Sequence, residues 1–252
     1  PSNVDMATLK AEFLFQYQKT NPASLRTKLI AHNARVNAIA QRFSGLYNFI
    51  GNHSWFKKRM GLHLNRRLPI LKPTTLRYWF SKYKQTKHSK SVYLFCDEYT
   101  NHYDVEIGKK AIKLLNGLGY TVQIPKHPES ARAYISKGFL KEAKAIATQN
   151  IRIFSALVSK QIPLIGIEPS AILGFRDEYP NLVNPDLKQS AEALALKTFT
   201  IEEFIANEIE RSNIDASRFT KRSQTVYYHG HCHQKVLSSN SYAETILKLP
   251  LN

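Results

Sequence analysis

The sequence predicts an α/β fold: a parallel sheet of about four strands flanked by helices, Rossmann-like, preceded by a helical N-terminal segment. Three observations carry this reading. Ser91 to Arg132 reads as strand, helix, tight turn, strand and polar elbow. Later apolar runs each end in polar residues, as strands do where they leave a sheet. The charge is split: residues 1–90 hold 17 Lys or Arg against Asp5 and Glu12, a net +15, whereas residues 91–252 hold 19 bases and 17 acids, a net +2. A basic segment therefore precedes a nearly neutral one, and the domain boundary is expected near residue 90 (1–90 basic and helical, 91–252 α/β).

In chain order, residues 4–20 predict a helix capped by Asp5 or Ser2, with Leu9, Phe13 and Leu14 as its apolar stripe. Asn21 and Pro22 break it. Ser24 caps a second helix, with Leu25, Leu29, Val36, Ile39, Ala40 and Phe43 on one face. Gly45 to Asn52 is a loosely patterned link, and Trp55 to Leu62 is a short basic turn or helix. Residues 64–90 are basic and Pro-punctuated, and read as an extended linker.

The α/β part comes next. Val92 and Leu94 mark a buried strand over 91–96, and Val122 and Ile124 a second over 121–125. Between them Ile107, Ala111, Leu114, Leu115 and Leu118 recur at helical spacing. Gly119 stands where a left-handed helix cap is expected. A helix joining two such strands makes them parallel. Helices are expected over 131–149 and 151–159, a strand over 162–167, and one or two helices over 186–211. Thr225 to Tyr228 reads as the fourth strand, with a last helix after it to about Leu247.

Ligands on open parallel sheets sit at the carboxyl ends of the strands. The residues expected there are Cys96, Asp97 and Glu98, then His127, Glu129 and Ser130, then Glu168, Ser170 and Ala171, and last His229 to His233. The carboxylates Asp97, Glu98, Glu129 and Glu168 suit acid–base or metal chemistry. Helix N-capping and ion pairing to Arg132 or Arg176 is the plainer and favoured reading. His231, Cys232 and His233 are metal-ligand types. Neighbouring side chains at a strand end diverge, however, so at most two reach one ion. Gly-rich dinucleotide or NTP loops and a nucleophile elbow do not occur in the sequence. Two cysteines make no disulfide scaffold and fit a reducing cytoplasm.

The segment LFCDEYTNHYDVEIGKKAIKLLNGLGY, with IPKHPESARAYISKGFLKEAK, IPLIGIEPSAILGFRDEYPNLV and HGHCHQK after it, resembles the cysteine-rich CCG domain over about residues 91–245. That domain occurs in the iron–sulfur subunit of glycolate oxidase and in subunits of anaerobic glycerol-3-phosphate dehydrogenase and heterodisulfide reductase. It also ends large fused FAD-linked oxidases of the D-lactate dehydrogenase type. RRLPILKPTTLRYWF resembles the flank that precedes it. PSNVDMATLKAEF resembles the stretch just after a ferredoxin-like cysteine run whose closing proline is Pro1.

In register, the family's first-strand Cys is Glu98 here, its Cys-Cys-Gly is Glu129-Ser130-Ala131, and its Cys after Pro-Ser is Ala171. Cys96 lies two residues early. Cys232 matches the Cys-His of the second set, whose partner triplet lies past Asn252.

The resemblance implies a piece of a longer FAD-linked, iron–sulfur (4Fe-4S) oxidoreductase acting on a small 2-hydroxy acid such as lactate or glycolate. This piece would serve electron transfer or docking and contains no complete active site. FAD and iron–sulfur clusters are implied for the longer protein, with none expected on this piece. Its implied partners are FAD-binding and ferredoxin-like domains of the same protein. A quinone or membrane-surface contact at the inner face of the cytoplasmic membrane is the further expectation. The rival reading is a non-enzymatic basic module for nucleic acid or an anionic membrane, with Tyr47, Trp55, Tyr78, Trp79 and Tyr83 available for stacking. No nucleic-acid motif accompanies them.

Overall fold

The computed structural model describes residues 5–220 and 224–249. Pro1, Ser2 and Asn252, on which parts of the reading above rest, lie outside them. Six helices come first: α1 (Met6–Tyr17), α2 (Leu25–Ala31), α3 (Asn33–Ala40), α4 (Ser44–Asn52), α5 (Ser54–Arg59) and α6 (Leu76–Lys82). Next come β1 (Lys90–Phe95), α7 (Glu98–His102), α8 (Val105–Gly117), β2 (Tyr120–Gln123), α9 (Arg132–Ser136) and α10 (Leu140–Leu157). The rest is β3 (Leu164–Gly166), α11 (Pro169–Ile172), α12 (Glu178–Leu182), α13 (Pro185–Ala195), β4 (Thr198–Thr200), α14 (Ile201–Glu210), α15 (Cys232–Leu237) and α16 (Ser241–Leu247).

The four strands form one parallel sheet in the order β2-β1-β3-β4. Side chains alternate across it, as a pleated strand requires. Val92 and Leu94 of β1 join Ile112 and Leu115 of α8 and Phe204 and Ile205 of α14 on one face. Phe95 joins Ile151 and Phe154 of α10, Phe175 and Tyr179 on the other. Both faces are covered, which is why the strands read as short continuous apolar runs. Gly119 sits at φ +97°, the left-handed cap expected of it. Asp5 and Ser24 cap α1 and α2.

Four expectations are corrected. The fourth strand is Thr198–Thr200, paired with β3, and not Thr225–Tyr228. The Thr-Val-Tyr-Tyr run has strand propensity, but that sheet edge is already taken, and Tyr227 is almost wholly exposed. Residues 131–159 hold a short α9 and one long α10 instead of two helices divided near 150. The break falls at Gly138, φ +75°, where a Cβ would lie 2.6 Å from Leu14 Cβ, so α1 approaches the backbone directly. The stretch 64–90 is no plain extended linker. It forms α6, whose Leu76 is fully buried among the core residues of β1 and α8, and Gly45 to Asn52 is helical as well.

Candidate functional site

The carboxyl ends of β1, β2 and β3 lie side by side in the sheet, and Glu98 and Ser130, which the resemblance puts in register with a first cysteine set, meet there. Asp97 leaves β1 and caps α7: its Oδ1 accepts from the Tyr99 and Thr100 N–H groups at 2.9 Å each, and its Oδ2 from Thr100 Oγ1 at 2.6 Å. Glu98 points across to the loop after β2. It accepts from the Ser130 N–H at 2.9 Å and from Ser130 Oγ at 2.8 Å. Both partners are buried.

Asn150 and Tyr179 pin that loop from below. Asn150 Nδ2 donates to the Glu129 carbonyl at 2.9 Å, and Tyr179 OH donates to the Ser130 carbonyl at 2.9 Å. Glu168 caps α11, accepting from the Ser170 N–H and from its Oγ at 2.6 Å. The capping reading therefore holds for Asp97 and Glu168. Arg132 and Arg176 pair instead with Glu178 and Glu203.

His127 has a fixed role. Its Nε2 accepts from the Cys96 N–H at 3.1 Å and from Arg77 Nη2 at 2.6 Å, so its proton sits on Nδ1, which donates to the Pro128 carbonyl. Burial, and then the Arg77 guanidinium, push its pKa down to about 3, so the ring is neutral. Burial drives the Cys96 thiol up to about 12, which makes it an inert core group. Asp97 is pushed up to about 7 by burial and then by Glu98, and Glu98 itself is raised by burial. Glu129 is raised to about 7 by burial and the neighbouring Glu98, with Arg35 as a partial offset; among the described residues its Oε2 has no hydrogen-bond partner.

The segment carrying the second motif lies over the same strand ends. His231 Nδ1 accepts from the His233 N–H, which turns its Nε2–H toward Glu168 Oε1 at 3.7 Å. His233 Nε2 accepts from Arg132 Nη2 at 2.7 Å. Cys232 is exposed at the start of α15. The two rings thus engage different partners, and among the described residues no group of three His, Cys, Asp or Glu side chains is placed to hold a metal ion.

An iron–sulfur cluster does not fit the first set. It requires thiolates, and the matching positions offer Glu98 oxygens already bonded to Ser130, the half-buried Glu129 and the buried methyl of Ala171. The cradle is packed shut. What it can do chemically is hold protons, because burial raises Asp97 and Glu129 to about 7.

Ala131 stands in a backbone conformation that suits glycine, the residue the resemblance puts at this position. It is fully buried with φ +61° and ψ 0°, the left-handed region, where a Cβ costs about 1–2 kcal/mol. Replacing Ala131 by Gly is expected to leave stability within about 0.5 kcal/mol of the parent, since relief of that strain offsets the added chain entropy. The same change at Ala147, buried inside α10, is expected to cost about 2 kcal/mol. Urea denaturation of both variants measures the contrast.

Glu129 gives a pH test. Its folded pKa lies above the unfolded value, so its contribution is complete in acid, below the usual carboxylate range, and is lost as pH rises toward 7. Glu129→Gln is expected to match the parent at pH 3, where this carboxyl is protonated in the folded and the unfolded chain alike. By pH 8 it should be about 1 kcal/mol more stable, a figure reduced for solvent screening at this half-buried group. Thermal midpoints across that range would show it; a gap that does not change with pH would rule out an ionisable strained carboxyl.

Arg77, Asn150 and Tyr179 are the site residues that sequence reasoning missed. Asn150 carries a signal, being a polar residue within the stripe Ala143, Ile146, Ala147, Ile151 and Phe154. Arg77 carries none, being one base among many.

The chain matches no protein-family model and no solved structure. It is 23% identical over 198 residues to the D-2-hydroxyglutarate dehydrogenase of Pantoea ananatis, covering 73% of this chain and 19% of that protein. It is 27% identical over 206 residues to a subunit of the anaerobic glycerol-3-phosphate dehydrogenase of Escherichia coli, covering 79% of this chain and 52% of that one. It is 30% identical over 130 residues to the lactate utilization protein A of an Exiguobacterium species, covering 50% of each. The chain thus spans between about a fifth and a half of the length of these relatives, which fit the CCG-type resemblance read from the sequence.

Proposed function

We propose that this chain is a piece of an FAD-linked, iron–sulfur oxidoreductase that oxidises a small hydroxy acid, and that its α/β lobe acts as a docking scaffold rather than as an electron carrier. One observation supports the scaffold role above all. The positions that match the first cysteine set are brought together, yet they are joined by the Glu98–Ser130 hydrogen bonds instead of being left open as ligands. The similarity to a hydroxy-acid dehydrogenase and to a glycerol-3-phosphate dehydrogenase subunit supports the oxidoreductase class. In this reading the flavin and any clusters belong to partner domains. Cys232, exposed between the histidines that meet Glu168 and Arg132, faces them.

Iron and acid-labile sulfide analysis with a visible spectrum, on anaerobically prepared protein, tests the proposal. A colourless, iron-free sample that folds cooperatively is the expected result. Stoichiometric iron and sulfide, lost on Cys232→Ser, would overturn the scaffold reading.

A further inference from the structure

The helical run from α3 through α4 is turned inside out. Asn37 is buried, Gln41 and Asn48 are half-buried, and the contacts of all three turn them toward the rest of the protein. Tyr103 OH donates to Asn37 Oδ1 at 2.8 Å, and Gln41 Oε1 meets His102 Nδ1 at 2.8 Å. Asn48 bonds the N–H and the carbonyl of Leu71, at 2.9 Å each. The opposite face carries Ile39, Phe43, Leu46 and Phe49. They point away from the protein with exposures of 74%, 67%, 58% and 70%. Phe49 continues through His53 to Trp55, with ring centroids 6.2 and 6.5 Å apart, and Trp55 is 57% exposed. A helix that buries its amides and shows its large apolar side chains to water has a face meant to be covered.

The charge on this face selects its cover. Between Glu12 and Asp97 the sequence has sixteen Lys and Arg and no acid. Arg42, between Ile39 and Phe43 in the run, is exposed, and so are Lys58, Arg59, Arg66 and Arg67 in the segment that follows. A second copy of the chain would set cation against cation. An anionic bilayer offers both things the face lacks, a negative surface and an apolar layer a few ångströms below it. Phe, Leu and Trp ringed by Arg and Lys is the composition of a surface that lies in a membrane interface. No helix among the described residues is long and apolar enough to cross a membrane, so the contact lies on the surface.

We infer that the face formed by Ile39, Phe43, Leu46, Phe49 and Trp55 docks this chain onto an anionic lipid bilayer. The inference needs no redox group and stands or falls apart from the oxidoreductase reading. The test is co-sedimentation of the 252-residue chain with vesicles of phosphatidylcholine alone and with vesicles containing equal parts of phosphatidylcholine and phosphatidylglycerol. Partitioning onto the anionic vesicles is expected to be at least about tenfold stronger and to fall in high salt. The Leu46→Ser/Phe49→Ser variant should lose about tenfold while keeping the parent's thermal midpoint, since neither side chain is in the core. Arg66→Glu/Arg67→Glu should lose binding to anionic vesicles only. Equal partitioning onto both vesicle types, or none by a folded protein, overturns the inference and leaves an acidic protein surface as the cover. Binding that Leu46→Ser/Phe49→Ser leaves intact overturns it too.

Discussion

Replacing Arg176 by Met is expected to cost about 3–5 kcal/mol of folding stability, the largest single-residue loss outside the apolar core. Arg176 lies just after α11 and ties three parts of the chain together. Its Nε and Nη2 donate to the Thr198 carbonyl at the start of β4, at 2.8 and 2.5 Å. Its Nη1 donates to the Leu237 carbonyl at the end of α15 at 3.2 Å. Its Nη2 reaches both oxygens of Glu203 on α14, at 2.9 and 2.8 Å. Glu203 is buried, and among the described residues its carboxylate accepts from Ser238 Oγ besides Arg176.

Met keeps most of the stem that packs by Phe199 but leaves that carboxylate without a cation. The cost is that of an uncompensated buried charge, more than that of a lost hydrogen bond. Arg176→Met/Glu203→Met should therefore recover more than half of the loss. Urea denaturation of the single and double variants decides it. A single variant within about 1 kcal/mol of the parent would mean that β4 and α15 are not held through this arginine.

That arrangement also explains why the last strand is hard to place from sequence. β4 is three residues, Thr-Phe-Thr, between two helices, too short for an apolar run to stand out. Its place is fixed by ladder bonds to β3 and by Arg176, which are tertiary facts. Thr225 to Tyr228 has better local propensity and no partner strand. The βαβ unit is legible because Val92, Leu94 and Val122 are buried on a covered sheet and Gly119 needs its left-handed cap. In the N-terminal part the stripes are legible but their direction is not. Periodicity says which residues share a face; it does not say whether protein or something else covers it. Leu9, Phe13, Ile39 and Phe43 belong to such stripes and all face outward.

The site is legible in the same partial way. Its members fall at strand ends, where the topology of a parallel sheet gathers polar groups, and the resemblance puts Glu98, Glu129, Ser130 and Ala171 in register. The sequence could not show that Glu98 and Ser130 bond to each other, because the bond spans 32 positions. Nor could it show that a basic residue from the stretch that reads as a linker forms part of the site floor.

That residue gives the second large effect. Arg77→Met is expected to cost about 2–3 kcal/mol at pH 7. Arg77 Nη1 donates to the Pro125 carbonyl at 3.0 Å, and Nη2 to His127 Nε2 at 2.6 Å, which joins α6 to the loop after β2. Met would leave the carbonyl and the ring nitrogen each one donor short. The loss should shrink as pH falls, and the sign comes from His127. With its folded pKa depressed to about 3, neutral His127 contributes stability that is complete above the ordinary histidine value and is lost as pH drops toward 3. Removing Arg77 removes the second cause of that depression. His127 in the variant then takes up its proton at a higher pH, and less stability is lost on acidification. Denaturation of parent and variant at pH 7 and pH 4.5 should show curves that converge in acid. Curves that stay parallel would mean that Arg77 acts through its carbonyl contact alone. Convergence would show that one guanidinium from the basic segment both fixes the loop carrying Glu129 and Ser130 and keeps His127 neutral beneath it.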